Sequence, residues 1–255
     1  MKSPIKYAGG KFFLAPRLRP LFLAHKHRVW ADPFCGSLAL PFALQPERAI
    51  LCDRNPHLIN FWQWVQIDGI VTIPMHNDEQ TYYQYREQFN SSNIDQSIRA
   101  QLFYYLLRTG YNGLVRFSRK GNFNVPFGRY KTINYLSSFL EYQNQILSWH
   151  LECQDYLSTL SCLNGDEFLY VDPPYSGGGF TQYSGNTFTD TDQCQLALRA
   201  ASHNGPVVAS NAATDEMIDI YCSLGFDIEV IDAPRRISCT GDRSPALEIF
   251  ATKNL

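Results

Sequence analysis

Asp172-Pro173-Pro174-Tyr175 follows the apolar run Phe168-Leu169-Tyr170-Val171, which sets a carboxylate, two stiff carbonyls and an aromatic ring at one strand end. Each proline fixes its own φ and lacks an N–H, and the residue before a proline is driven out of the helical region. The turn is therefore rigid, with its carbonyls facing outward. Asp172 and the Pro173 carbonyl can together accept both hydrogens of one NH2 group, while Tyr175 lies against the ring that carries it. This is the chemistry of gripping an exocyclic amine. Alone, the tetrapeptide fits an amine on DNA, RNA or protein, and equally a turn that only ends a strand.

A second constellation lies nearer the amino terminus. Gly36, in the loop after one apolar run, allows a ligand close to the backbone, and Asp53, seventeen residues on, ends the next run where a carboxylate can accept both hydroxyls of a ribose. Gly-x-Gly-x-x-Gly is absent, so NAD and FAD are not indicated. Asp32-x-Phe34-x-Gly36 instead resembles the first motif of S-adenosylmethionine methyltransferases, which implies that Phe34 and Cys35 lie by that cofactor and Asp53 by its ribose. Lys6-Tyr7-Ala8-Gly9-Gly10-Lys11 has the lysines and glycines of a phosphate loop but not its spacing.

The third constellation is electrostatic. Residues 99 to 131 hold seven lysines and arginines and no acid in a chain of net charge −2, so the remainder carries −9. Such a patch on an otherwise acidic chain is the footprint of a polyanion-binding face. Within it, Arg116 suits a guanine edge, Asn112 an adenine or a vacated stack, and Leu114 and Pro126 can press on base methyls and ring edges. Tyr111 can fill the space left by an extruded base, and Arg119 and Lys120 suit phosphates.

The periodicity assigns elements to these residues. Strand, tight loop, short helix and strand follow one another from Val29 to Asp53, a βαβ opening onto a mostly parallel sheet. Apolar strands return at Phe168–Val171, Pro206–Ala209, Phe226–Ile231 and Ala246–Ala251, with helices at Asp190–Ser202 and Thr214–Ser223 and a capping sequence beginning at Thr189. Between the two α/β portions, His57–Asp68, Asn77–Phe89, Ile94–Arg108 and Asn134–Trp149 read as helices. Residues 111 to 131 read as a hairpin turning near Lys120-Gly121-Asn122. The expected organisation is an α/β domain of residues 1–56 and 146–255, interrupted at 57–145 by a helical recognition domain that bears the hairpin.

No run of eighteen apolar residues and no signal-like amino terminus is found, so a cytoplasmic chain is expected rather than one in a membrane. Seven cysteines without a Cys-x-x-Cys pair argue against a disulfide framework and a zinc site, and read as reduced, mostly buried thiols.

Taken in order, these strings closely resemble the Dam family of DNA adenine methyltransferases, the α-type enzymes whose recognition domain lies between cofactor and catalytic motifs. The resemblance spans most of the chain. It implies a Rossmann-like S-adenosylmethionine-dependent methyltransferase sheet, with Tyr7, Lys11, Asp53 and Asp172 at the cofactor and Asp155 or Tyr156 bordering its adenine. It implies Asp172 to Tyr175 as the catalytic turn, and Tyr111 and Asn112 around a flipped adenine. Leu114, Arg116 and Pro126 would read later bases, Lys6 the first base pair, and Arg129 and Tyr130 backbone or bases. The implied target is adenine N6 in GATC on double-stranded DNA, the implied reaction direct displacement without metal, and the implied state a monomer. Tyr7 departs from the tryptophan of many bacterial members but keeps an aromatic face. Two loops are candidates for movement or DNA contact, Gly177-Gly178-Gly179 and Arg235-Arg236-Ile237-Ser238. The alternatives are a DNA-binding protein without turnover and a methyltransferase for RNA or protein amides, although the latter's turn commonly starts with asparagine.

Overall fold

A computed structural model of the chain describes residues 1–175, 188–234 and 246–255. Strands β1 (Trp30–Asp32), β2 (Ala49–Asp53), β3 (Trp149–Cys153), β4 (Phe168–Val171), β5 (Val207–Ala212), β6 (Asp227–Ala233) and β7 (Ala246–Lys253) form one sheet of order β3-β2-β1-β4-β5-β7-β6. All pairs are parallel except those of β7, which runs antiparallel between β5 and β6. The Rossmann-like α/β sheet expected from the sequence is present. Chain order reverses direction at β1, with β2 on one side and β4 on the other. In open α/β sheets a crevice opens at such a point, beyond the carboxyl ends of the strands.

Alternation along the strands divides the core into two layers. Trp30, Phe168, Tyr170, Val208 and Phe250 pack on one face with helices α1 (Ala15–Ala24), α2 (Ala39–Leu44) and α3 (Pro56–Ile67). Ala31, Leu169, Val171, Val207, Ala209 and Ile249 pack on the other with α7 (Tyr156–Cys162), α8 (Asp190–Ala201) and α9 (Asp215–Ser223). Every residue of β4 is buried, as a strand covered on both faces requires. Thr189 caps α8 in a reciprocal box with Asp192, as its sequence signature indicates.

Helices α4 (Glu79–Asn90), α5 (Gln96–Thr109) and α6 (Leu140–Ile146) complete the middle segment. Six consecutive residues of α5, Leu102 to Leu107, are buried because α5 lies between α3 and α4. These helices share one apolar core with the sheet, since Trp62 and Phe103 belong to the same cluster as Trp30 and Leu51.

Three expectations need correction. The helix expected over Asn134–Trp149 shrinks to α6. Ahead of it, Phe139 N–H donates to the Gly69 carbonyl and Val71 N–H to the Ser137 carbonyl, while Trp149 pairs with Ala49 in β3. The hairpin has arms too short to be strands, with an isolated bridge between Phe117 and Phe123 and a turn over Ser118–Gly121. Of the six described cysteines, all free thiols, only Cys35 and Cys52 are buried, while Cys153, Cys162 and Cys222 are exposed on an edge strand and helix surfaces.

Candidate active site and DNA-facing loop

The carboxyl ends of β1, β2, β4 and β5 converge on the crevice. Past β2, Asp53 accepts hydrogen bonds from the Gly36 N–H at 3.1 Å and the Asn55 N–H at 2.8 Å, which ties the loop after β1 to the end of β2. Burial pushes the Asp53 carboxyl up to about 6, against those backbone donors, which favour the charged form. Gly36 has φ +50°, a conformation that favours glycine, and lies beside Tyr7, whose ring a Cβ there would meet at 4.0 Å. Asn55 caps α3 and also donates to the Tyr7 hydroxyl at 3.3 Å. Phe34 stacks on Tyr156 with centroids 5.7 Å apart, and Phe188 closes the group at 5.8 and 5.3 Å. Asp155 has a structural engagement: its carboxylate caps α7 through Leu157, Ser158 and the Ser158 hydroxyl.

At the end of β4, Asp172 is loaded on one oxygen. Tyr175 donates to Oδ1 at 3.1 Å, Ser210 of β5 donates to it at 3.3 Å, and the Lys11 ammonium lies 3.5 Å from it. All three of these contacts are to Oδ1. Burial pushes the Asp172 carboxyl up to about 6; Lys11 opposes this and Glu248 adds to it. Lys11 itself is buried. It donates to the Tyr175 hydroxyl at 2.5 Å and to both oxygens of Glu248 at 2.7 and 2.8 Å. The Pro174 carbonyl accepts from Gln193 of α8 at 2.8 Å, and Gln193 in turn accepts from Asn211 of β5. The turn is thus held from three neighbouring elements.

The basic segment lies at the carboxyl end of α5. Tyr111 N–H donates to the Pro126 carbonyl and Gly128 N–H to the Thr109 carbonyl, so the two arms run antiparallel. Tyr111, at 46% exposure, Asn112, Arg116, Arg119, Lys120, Pro126 and Arg129 all face outward, and Leu114 is half-buried. Asn112 takes φ +54°, which presents its amide at the tip of a tight turn. Arg116 is folded back onto Asn124, donating to its Oδ1 at 2.7 Å and its carbonyl at 3.1 Å. Arg129 pairs at 3.3 Å with Glu79 on the surface. Lys6 sits 4.7 Å over the Tyr130 ring and packs against Gly113, where a Cβ would meet it at 3.1 Å. The amino-terminal loop thereby touches both the crevice and the hairpin.

A family described as D12 class N6 adenine-specific DNA methyltransferase matches residues 7–237. The chain belongs to that family. It is an adenine-specific DNA methyltransferase, and the DNA adenine methylase of Vibrio cholerae is 34% identical to it over 93% of this chain and 90% of that one. The DNA adenine methylase of Escherichia coli K12 is 32% identical over 93% and 89%. The retron Ec67 DNA adenine methylase of Escherichia coli is 32% identical over 98% and 91%.

For this D12-class chain, Lys11, Asp172 and Tyr175 meet in one cluster, and Tyr7, Gly36 and Asp53 in another. Arg119 and Lys120 stand apart from both, at the hairpin turn. Sequence reasoning did not name Asn55, Phe188, Gln193, Ser210 or Glu248. Glu248 carried a readable signal, a lone charge inside the strand Leu247-Glu248-Ile249-Phe250. Phe188 carried none. Gly177-Gly178-Gly179 and Arg235-Arg236-Ile237-Ser238 lie outside the described residues. No group of acids, histidines and cysteines fit to hold a metal occurs among the described residues, and none of their helices is long and apolar enough to cross a membrane.

Proposed function

We propose that the chain methylates adenine N6 in duplex DNA at GATC, using S-adenosylmethionine as donor and acting on a base extruded from the helix. The observation that carries this reading is the one-sided loading of Asp172. Its Oδ1 is engaged by Tyr175, Ser210 and Lys11, which on this reading assigns the second oxygen, Oδ2, to the amine hydrogen.

The residues present suit the donor. Both oxygens of Asp53 keep a lone pair beyond their backbone bonds and can accept ribose hydroxyls. Phe34, Tyr156 and Phe188 offer apolar faces to a purine, and Asp172 and Glu248 suit a cation. When bound, S-adenosylmethionine supplies a methyl group on a positively charged sulfur and leaves as a neutral thioether. The adenine amine is a poor nucleophile because its lone pair is delocalised into the ring. Hydrogen bonds from its two N–H groups to Asp172 Oδ2 and the Pro173 carbonyl draw the nitrogen toward a pyramidal shape and stabilise the positive charge that develops on it, until the methylated nitrogen releases one of those two protons, by way of Asp172, to solvent. Tyr175 offers its ring to the base, and the rigid turn fixes the approach. Extrusion costs a few kcal/mol, on the order of one lost stacking and pairing arrangement. Tyr111 and Asn112, exposed at the loop tip, suit the vacated space. GATC is the target implied by the hairpin's resemblance to the Dam family.

Plasmid DNA from a methylase-free host expressing the chain tests this reading. Resistance to a nuclease blocked by GATC methylation, with cleavage by one that requires it, is the expected result. Full sensitivity to the first nuclease would contradict it.

A further inference from the structure

Lys11 joins the amino-terminal loop to the catalytic turn, yet the carboxylate that holds Lys11 comes from neither. It is Glu248, the third residue of β7, 7% exposed and bonded to the ammonium through both oxygens. Burying a carboxylate is costly unless it is paired, and one pairing partner would have sufficed for Lys11. Lys11 instead has two carboxylates about it, Glu248 at 2.7 Å and Asp172 at 3.5 Å. With all three ionised, the cluster carries one negative charge in surplus. Among the described residues, the other groups facing it do not cancel that charge. Tyr170, Tyr175 and Ser210 bring hydroxyls, and Asp32 of β1 brings a carboxyl that burial pushes well up, so none of them supplies a cation.

We propose that Glu248 is a positioning residue with two effects: it sets Lys11, and through it the Tyr175 hydroxyl, against Asp172, and its charge makes the crevice favour a cationic methyl donor over the neutral thioether product. The second effect rests on S-adenosylmethionine being the donor. The arrangement explains why an acid occupies an otherwise apolar strand position. Lys11 neutralises one carboxylate, and the donor's positive sulfur matches the other. Methyl transfer moves that positive charge from sulfur to N6, which then loses a proton, so the thioether product lacks the match and its release is favoured.

Glu248→Gln keeps the shape and removes the charge; Glu248→Asp keeps the charge and shortens the reach. Calorimetry with S-adenosylmethionine and S-adenosylhomocysteine gives the preference for donor over product, and turnover on a GATC duplex gives kcat. For Glu248→Gln we expect the preference to fall by about tenfold or more, as removal of one nearby charge in a partly dry site implies. Its kcat should fall by roughly 10²-fold, the scale of a displaced catalytic group. Duplex affinity should stay within experimental error, while the thermal midpoint should fall, since the change removes one charge of a buried pair. Glu248→Asp should retain the preference while losing kcat, which separates charge from position and serves equally if the glutamine variant does not fold. An unchanged preference and kcat in Glu248→Gln overturns the proposal. So does equal weakening of both ligands, the mark of a merely structural role. Wild-type protein that binds neither ligand overturns the donor assignment itself, a result distinguishable because it appears before any substitution is made.

Discussion

The Lys11 ammonium lies 2.5 Å from the hydroxyl oxygen of Tyr175, a contact between groups 164 residues apart that locks the amino-terminal loop onto the catalytic turn. The same amine sits 4.6 Å over the Tyr175 ring, so charge and ring are held together as well as hydrogen-bonded. On the proposed reading, donor binding and amine gripping are therefore coupled through Lys11. Whatever displaces Lys11 disturbs both.

Lys11→Met leaves Glu248 and Asp172 facing each other without a cation. Breaking a buried pair by deleting one partner costs about 3–5 kcal/mol, so urea denaturation at neutral pH should register a loss of that order, and methyl transfer should fall with it. Wild-type stability in this variant would show that the pair is not maintained in solution.

The carboxyls of Asp172 and Asp53 are both pushed up to about 6, and the proposed function requires each to be ionised. Activity and donor affinity should fall as pH drops through about 6, and a pH profile from roughly 5 to 8 with calorimetry at each end checks this. Stability should move the other way. The folded values lie above the ordinary 3.8, so between 3.8 and about 6 the native state binds more protons than the unfolded chain. These two groups then contribute stability as pH falls, and oppose the fold near neutrality.

Arg116 reaches the solvent side of the loop with its guanidinium held by Asn124. Arg116→Ala should cost roughly 1–3 kcal/mol of discrimination at one base pair, read from kcat/KM on GATC and its single-base variants. Asn124→Ala should reproduce part of this by releasing the fork. Arg119 and Lys120, exposed at the turn, should weaken binding to all sequences alike and each reduce the salt slope by about one.

Asn90 of α4 roots the hairpin, accepting from the Phe123 N–H at 2.8 Å and donating to its carbonyl at 3.0 Å. Phe123 is buried at 1% exposure, so Asn90→Ala leaves two backbone groups unpaired at a cost of about 1–3 kcal/mol. Duplex affinity by fluorescence anisotropy should fall while donor binding is retained. Loss of donor binding instead would mean that the loop and the crevice are one unit.

The outline of the fold was legible because its strands announce themselves. Phe168–Val171 is apolar throughout, and the rigid Asp-Pro-Pro turn marks its end. Three elements were not legible, each for a physical reason. Helix α1 contains Pro16 and Pro20, which read as breakers, although the first sits where a helix start lacks a bonding partner anyway. Strand β3, Trp-His-Leu-Glu-Cys, lies at the sheet edge with only Trp149 and Leu151 buried, so its composition suits a helix end equally well. Helix α7 spans seven residues, too few for periodicity to speak. At the site, the residues assigned to ligands had motifs to reveal them, while those that hold them in place did not. Gln193, Ser210 and Glu248 act through tertiary contacts that arise only when α8, β5 and β7 are brought beside β4.

Transfer of tritium from labelled S-adenosylmethionine to matched duplexes tests the central claim most directly. Wild-type protein should label a GATC duplex and not its single-base variants, and Asp172→Ala should abolish labelling while duplex binding persists. Near-normal turnover by Asp172→Ala, or equal labelling of GATC and its variants by the wild type, would contradict the account.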